Sequence, residues 1–175
     1  QNRKGTILYP TDTVWGLGCD ATDSDAVASI YKIKNRIASK SLIILVASID
    51  MLQQIIPEIP KVALELVANA TKPTTIIYKN PKGLAPNVVA EDNTVAIRIP
   101  DDVFCKKLIR EFGKPIVSTS ANVSGEPTPQ TFSEISTAIL DSVDYIVNLH
   151  HDKINDKSST ILRITDTDEI EVIRA

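Results

Sequence analysis

Apolar runs of strand length alternate along this chain with helical stripes, and that interleaving restricts the fold more than any other feature. Residues 6–9 (Thr-Ile-Leu-Tyr) read as a short buried strand stopped by Pro10, and residues 11–18 as a loop rich in turn formers. Residues 22–25 carry helix-start chemistry, after which Ala26, Val27, Ile30 and Tyr31 recur at helical spacing. An unbroken apolar run fills 42–47, helical patterns cover 48–56 and 60–70, and 74–78 is β-rich. Residues 94–99 alternate strictly, with Val95, Ile97 and Ile99 on one face and Thr94, Ala96 and Arg98 on the other. Phe104, Leu108, Ile109 and Phe112 mark a further helix closed by Gly113, and a strand begins at Ile116. A helix over 131–140 and strands over 144–149 and 159–173 complete the pattern. The fold class that follows is α/β: a single domain over 1–175, with a twisted mixed sheet flanked by helices. Mixed strand direction is expected because helical crossovers do not separate every strand pair.

The chemistry-bearing residues cluster in four places. The run 115–125, Pro-Ile-Val-Ser-Thr-Ser-Ala-Asn-Val-Ser-Gly, passes from an apolar entry into small hydroxyls and an amide. Extended, it points Ser118, Ser120 and Asn122 one way and Thr119 and Ala121 the other, a surface suited to a polyanion lying close to the backbone. The same composition also describes a strand entering a Ser/Asn-rich turn. Residues 10–18, Pro-Thr-Asp-Thr-Val-Trp-Gly-Leu-Gly, follow a strand, where open α/β sheets place ligand loops. Lys34 and Arg36, followed by Lys40, put cations at a helix end, where they also complement the helix dipole. Thr94 and Arg98 share a strand face, Ser158, Ser159 and Thr160 open a β-rich segment, and Arg174 stands near the end of the sequence.

Several classes of function find no support. No GxxxxGK[ST] or GxGxxG loop is present. His150 and His151 are adjacent, as in a surface turn, and lack triad or ligand spacing. A formal net charge of −3 gives no global sign of nucleic-acid binding. Cys19 and Cys105 lack metal spacing and make a weak disulfide framework, which favours a reducing, cytoplasmic compartment. No signal peptide or membrane span is read, and a start at Gln1, almost directly on a strand, suggests a cropped N-terminus.

Taken together, PTDTVWGLGCDA, IYKIKNR, TVAIRIP, KPIVSTSANVSGEPTP, SSTI and a terminal VIR resemble, in that order, the YrdC-like domain family over roughly residues 4–174. The resemblance implies a concave ligand cleft on the sheet. It also implies synthesis of L-threonylcarbamoyladenylate from L-threonine, bicarbonate or CO2, and ATP, with release of pyrophosphate. In the family the product passes to a threonylcarbamoyl-transferase complex that modifies tRNA. The implied catalytic set is Lys34, Arg36, Ser120 and Asn122. Thr13, Arg98, Ser118 and Ser159 match threonine-binding positions. Arg36, Lys40, Thr94, Ser120, Asn122, Thr128 and Arg174 match nucleotide-binding ones. Mg2+ is expected to arrive with ATP, tRNA to bind weakly if directly, and no membrane to be involved. The chain departs from the family pattern at Ile37, at Ser41-Leu42, at 71–74 and near Leu45, where many relatives carry a His, while the four-residue signature is intact. Competing readings are a YrdC-like RNA- or nucleotide-binding module without synthase activity, a carbamoyl-transfer relative of hydrogenase-maturation proteins, and an adenylate-binding scaffold.

Overall fold

The computed structural model describes residues 5–36, 42–155 and 157–175. Nine strands form among them: β1 (Ile7–Tyr9), β2 (Gly16–Gly18), β3 (Ile43–Leu45), β4 (Thr74–Lys79), β5 (Thr94–Arg98), β6 (Ile116–Ser120), β7 (Tyr145–Ile146), β8 (Thr160–Ile164) and β9 (Ile170–Arg174). They join one sheet in the order β7-β1-β2-β6-β3-β5-β4-β8-β9. Direction is mixed: β1–β7, β3–β5 and β4–β8 pair parallel, and the other neighbours antiparallel. Five helices flank the sheet: α1 (Ser24–Lys34), α2 (Ile49–Ile55), α3 (Lys61–Asn69), α4 (Val103–Phe112) and α5 (Thr137–Leu140). None of the described helices is long and apolar enough to cross a membrane.

Local chemistry sets the helix ends that matter for the site. The Asp23 carboxylate accepts the Asp25 and Ala26 N–H groups and starts α1, whose Val27 and Ile30 are buried. Asn35 ends that helix in the left-handed region at φ 50°, a conformation that Asn tolerates better than most residues, and its N–H bonds the Lys32 carbonyl. In α4 the Asp102 carboxylate accepts the Cys105 N–H at 2.8 Å, and Cys105 and Ile109 pack on Tyr9, Leu45 and Ile116. The larger core joins Leu17, Ile44, Ile76, Ile97 and Val117 of the sheet to Ile30, Leu52 and Ala63 of the helices. Each such Leu or Ile side chain removed from water contributes about 1.5–3 kcal/mol.

Three expectations from the sequence need correction. Residues 16–18, read as loop, are the strand β2: Gly-Leu-Gly carries no β-type side-chain pattern, yet packing demands the glycine. A Cβ at Gly18 would stand 2.7 Å from the Val117 carbonyl oxygen and 2.6 Å from the Tyr9 ring. The helix expected over 131–140 is only the four residues of α5, preceded by a 3-10 turn at Phe132–Glu134. The Phe132 ring packs against Trp15 at 5.1 Å and stacks on His151 at 3.7 Å, so this segment follows an aromatic cluster rather than a continuous helix face. His151 is consequently half-buried, with Nε2 3.0 Å from the Val147 carbonyl, and only His150 fits an exposed turn. Cys19 and Cys105 are buried free thiols; burial pushes the pKa of both up, that of Cys19 to about 12, which keeps them unreactive.

Candidate functional site

Strand register fixes the site's floor. Ser118, Ile43, Ala96, Ile77 and Arg163 are successive cross-strand partners and form one row across β6, β3, β5, β4 and β8. Two residues along lies a second row: Ile116, Leu45, Arg98, Thr75, Ile161 and Arg174. Directly paired residues share a face, so six strands present one surface. Over it opens a cavity of about 320 Å³ whose lining includes Thr13, Ser118, Ser120 and Ser159 together with four arginines, Arg36, Arg98, Arg163 and Arg174. Among the described residues lining it there is no carboxylate. A roomier hollow of about 450 Å³ lies by Tyr78 and Ile97 on the other face, and none of the site residues expected from the sequence lines it.

The second row is braced from both ends. An Arg98 Nη donates to the Asp12 carboxylate in an ion pair that is almost completely buried, and the other reaches Thr13 Oγ1 at 3.3 Å. Asp12 also accepts the Asp101 N–H at 3.1 Å, while Thr11 and Thr13 hydroxyls lie 3.0 Å apart. At the other end Arg174 donates through Nε and an Nη to the Ser159 carbonyl at 3.0 and 2.9 Å, and Ser159 Oγ meets Thr75 Oγ1 at 2.7 Å. Burial and then repulsion from Arg98 lower the Arg174 pKa. Burial likewise lowers that of Arg36. The guanidiniums thus crowd one another in a poorly solvated space, which an anion would relieve.

Lys34 and Arg36 divide their roles around Asn35. The left-handed residue lets the chain reverse, so that Arg36 lines the cavity while Lys34 turns beneath it. Lys34 is buried, and its Nζ donates to the Ser120 carbonyl at 2.6 Å, the Asn122 carbonyl at 2.8 Å and Asn122 Oδ1 at 3.4 Å. The Ser124 N–H returns a bond to the Lys34 carbonyl at 2.8 Å, and the Ala121 N–H bonds the Trp15 carbonyl at 3.0 Å. The loop after β6 is therefore stapled to the end of α1 and to the 10–18 segment. Burial, and after it the charge of Arg36, pushes the Lys34 pKa down to about 8.

Of the residues expected at the site, Thr13, Arg36, Arg98, Ser118, Ser120, Ser159 and Arg174 line the same cavity. Lys34 does not face it, because all three of its protons are aimed at loop oxygens. The Asn122 amide is turned into its own loop, donating to the Glu126 carbonyl at 2.8 Å. Thr94 lies in an adjoining recess that shares Ile77 and Arg163 with the cavity, and its hydroxyl donates to Asp92 at 2.6 Å. Thr128 is on an exposed loop away from the cavity, and Lys40 lies outside the described residues. Asp12, Thr75 and Arg163 were not foreseen. Asp12 sat inside a motif already singled out, whereas Thr75 and Arg163 enter only through strand pairing. No group of three metal-ligating side chains occurs among the described residues, so those present do not fit a protein-held cation.

A family model described as Sua5/YciO/YrdC, telomere recombination, matches residues 2–175. A Bacillus subtilis protein called threonylcarbamoyl-AMP synthase is 41% identical over 125 residues, covering 70% of this chain and 36% of that protein. A Cellvibrio japonicus protein of the same name is 35% identical over 133 residues, covering 75% of this chain and 70% of that one. The crystal structure of Pyrococcus abyssi Sua5 complexed with L-threonine superimposes with a TM-score of 0.86 at 28% identity, over 98% of this chain and 50% of that one. The chain thus spans about a third of the Bacillus relative and half of the Pyrococcus one.

Proposed function

Since the chain belongs to the Sua5/YciO/YrdC family, we propose that it joins L-threonine, bicarbonate or CO2, and ATP into L-threonylcarbamoyladenylate, releasing pyrophosphate. The observation that carries this reading is the cavity itself: hydroxyls and guanidiniums from six separate segments, with no carboxylate in its described lining, on a fold shared with a threonine-bound relative.

Threonine binds by its carboxylate to Arg98 and by its hydroxyl near Thr13. Its amine adds to CO2, loses a proton and becomes an N-carboxylate. An oxygen of that group attacks the α-phosphorus of ATP, and the bond to pyrophosphate breaks. Two anions must approach each other, so Arg36 stabilises the charge that builds in the transition state. Ser118 and Ser120 orient the reacting oxygens, Ser159 contacts the threonine, and Arg174 holds the nucleotide. Lys34 acts as a positioning residue through the loop it staples, in place of the direct contact expected from the sequence. Mg2+ accompanies the triphosphate, and no step here is assigned to it. The enzyme works in the cytoplasm, touches tRNA weakly if at all, and hands its product to a threonylcarbamoyl-transferase complex.

The test is to incubate the protein with ATP, bicarbonate and threonine and to look for threonylcarbamoyladenylate by mass, with pyrophosphate measured in parallel. Product that requires all three substrates is the expected result. Steeply salt-dependent tRNA binding with no threonine-dependent pyrophosphate would overturn it in favour of an RNA-binding module.

A further inference from the structure

Three of the cavity's four arginines have places in the proposed reaction; Arg163 has none. It stands on β8 opposite Ile77, at the far end of the floor row that begins with Ser118. Four strand spacings separate those ends, about 19 Å between backbones. Between them the floor is apolar: Ile43, Ala96 and Ile77. The Arg163 side chain makes no hydrogen bond or ion pair with any described residue, and its Nε is buried. Its partner across β9, Glu171, is exposed and does not pair with it. A buried guanidinium N–H without an acceptor is costly, more so than a neutral donor. Arg98 and Arg174 do find protein acceptors for other N–H groups, in Asp12 and the Ser159 carbonyl, although Arg98 Nε is buried without one like that of Arg163. Arg163 lines both this cavity and the adjoining recess, whose lining includes Asp92 and Asp166, and forms an ion pair with neither.

We infer that Arg163 binds the phosphate chain of the nucleotide beyond the reacting phosphorus, and holds pyrophosphate after the bond breaks. This rests on the reading that the cavity takes a nucleoside triphosphate. The chemistry favours phosphate over a second carboxylate, because threonine's one carboxylate is served by Arg98. The β- and γ-phosphates, with most of the ligand's charge, have no other guanidinium assigned to them. A planar guanidinium takes two phosphate oxygens at once. An extended triphosphate anchored near Ser120 and Arg36, together with the length of an arginine side chain, spans the apolar floor. The contact anchors the distal phosphates of ATP and meets the charge that collects on pyrophosphate as the bond breaks, so it serves both affinity and turnover.

Calorimetry on the whole protein with inorganic pyrophosphate, AMP and threonine as separate probes tests this. Arg163→Ala should weaken pyrophosphate at least about tenfold, the scale of one lost charged hydrogen bond. AMP and threonine binding should be unchanged, and Arg163→Lys should restore part of the loss. A thermal melt checks the fold, and Arg163→Gln carries the same comparison should the alanine variant not fold. Unchanged pyrophosphate affinity overturns the inference; so does an equal loss for AMP, which would place Arg163 on the adenylate half. Arg163-dependent pyrophosphate binding in a protein that makes no threonylcarbamoyladenylate would sink the synthase reading and leave this one standing. The reverse outcome would do the opposite.

Discussion

Replacing Lys34 by methionine, which has similar length and does not titrate, isolates one buried ammonium. That group is 2% exposed and is held by three loop oxygens. Its pKa falls from 10.5 to about 8, chiefly through burial. A depression of that size means that the fold disfavours the charged form by about 3 kcal/mol relative to water. Between pH 8 and 10.5 the folded protein binds fewer protons at this position than the unfolded chain does. Stability from this group is therefore lowest below pH 8, rises across the window and is fully relieved above the unfolded value. Thermal melts of wild type and Lys34→Met, taken as a difference so that other titrations cancel, should shift in the wild type's favour by up to about 3 kcal/mol. For a chain of this size that is about 6–12 °C in Tm. Activity should move the other way. The neutral amine has two protons for three acceptors, so wild-type adenylate synthesis should decline above pH 8. The methionine variant, with its loop unstapled, should be at least ~100-fold slower at every pH, the scale of a small misplacement of the groups that orient the reacting oxygens. A Tm difference that stays flat across the window, or near-normal synthesis by the variant, would refute this account of Lys34.

Asp12→Asn keeps the shape but removes the charge that fixes Arg98, so the threonine KM should rise about tenfold with kcat little changed. Steady-state kinetics with threonine varied would show it, and an unchanged KM would free Arg98 from dependence on Asp12. Gly18→Ala forces a methyl against the Val117 carbonyl and the Tyr9 ring, and denaturant titration should show a loss of about 1–3 kcal/mol. A variant as stable as wild type would mean that β2 and β6 separate more readily than their packing indicates.

Most of the strand and helix order was readable because residues 94–99 alternate strictly and α1 and α4 carry helical stripes between clear end signals. The strand β2 was not, since Gly16 and Gly18 have no side chains to alternate. Their reason for being there is the closeness of the Tyr9 ring to both, of Ser118 to Gly16 and of the Val117 carbonyl to Gly18. At the site, Arg98 and Ser118 were legible from their faces, because alternation alone determines which way a strand residue points. Arg163 and Thr75 were not, because their relevance depends on which strands pair and in what register. The inward turn of Lys34 was hidden for a different reason. Residues 34 and 36 look equivalent at a helix end until the backbone conformation of Asn35 separates them.

The floor row joins β6 to β8 through β3, β5 and β4, strands far apart in the chain. No short contiguous fragment contains the whole binding surface. Recognition of substrate is thus reserved for chains whose last strands have docked in correct register, since a slip by one residue would turn each participating side chain to the wrong side. On the proposed function, bound ATP and threonine would in turn favour the finished arrangement over incomplete ones by mass action, so substrate itself would act as a late proofreader of assembly.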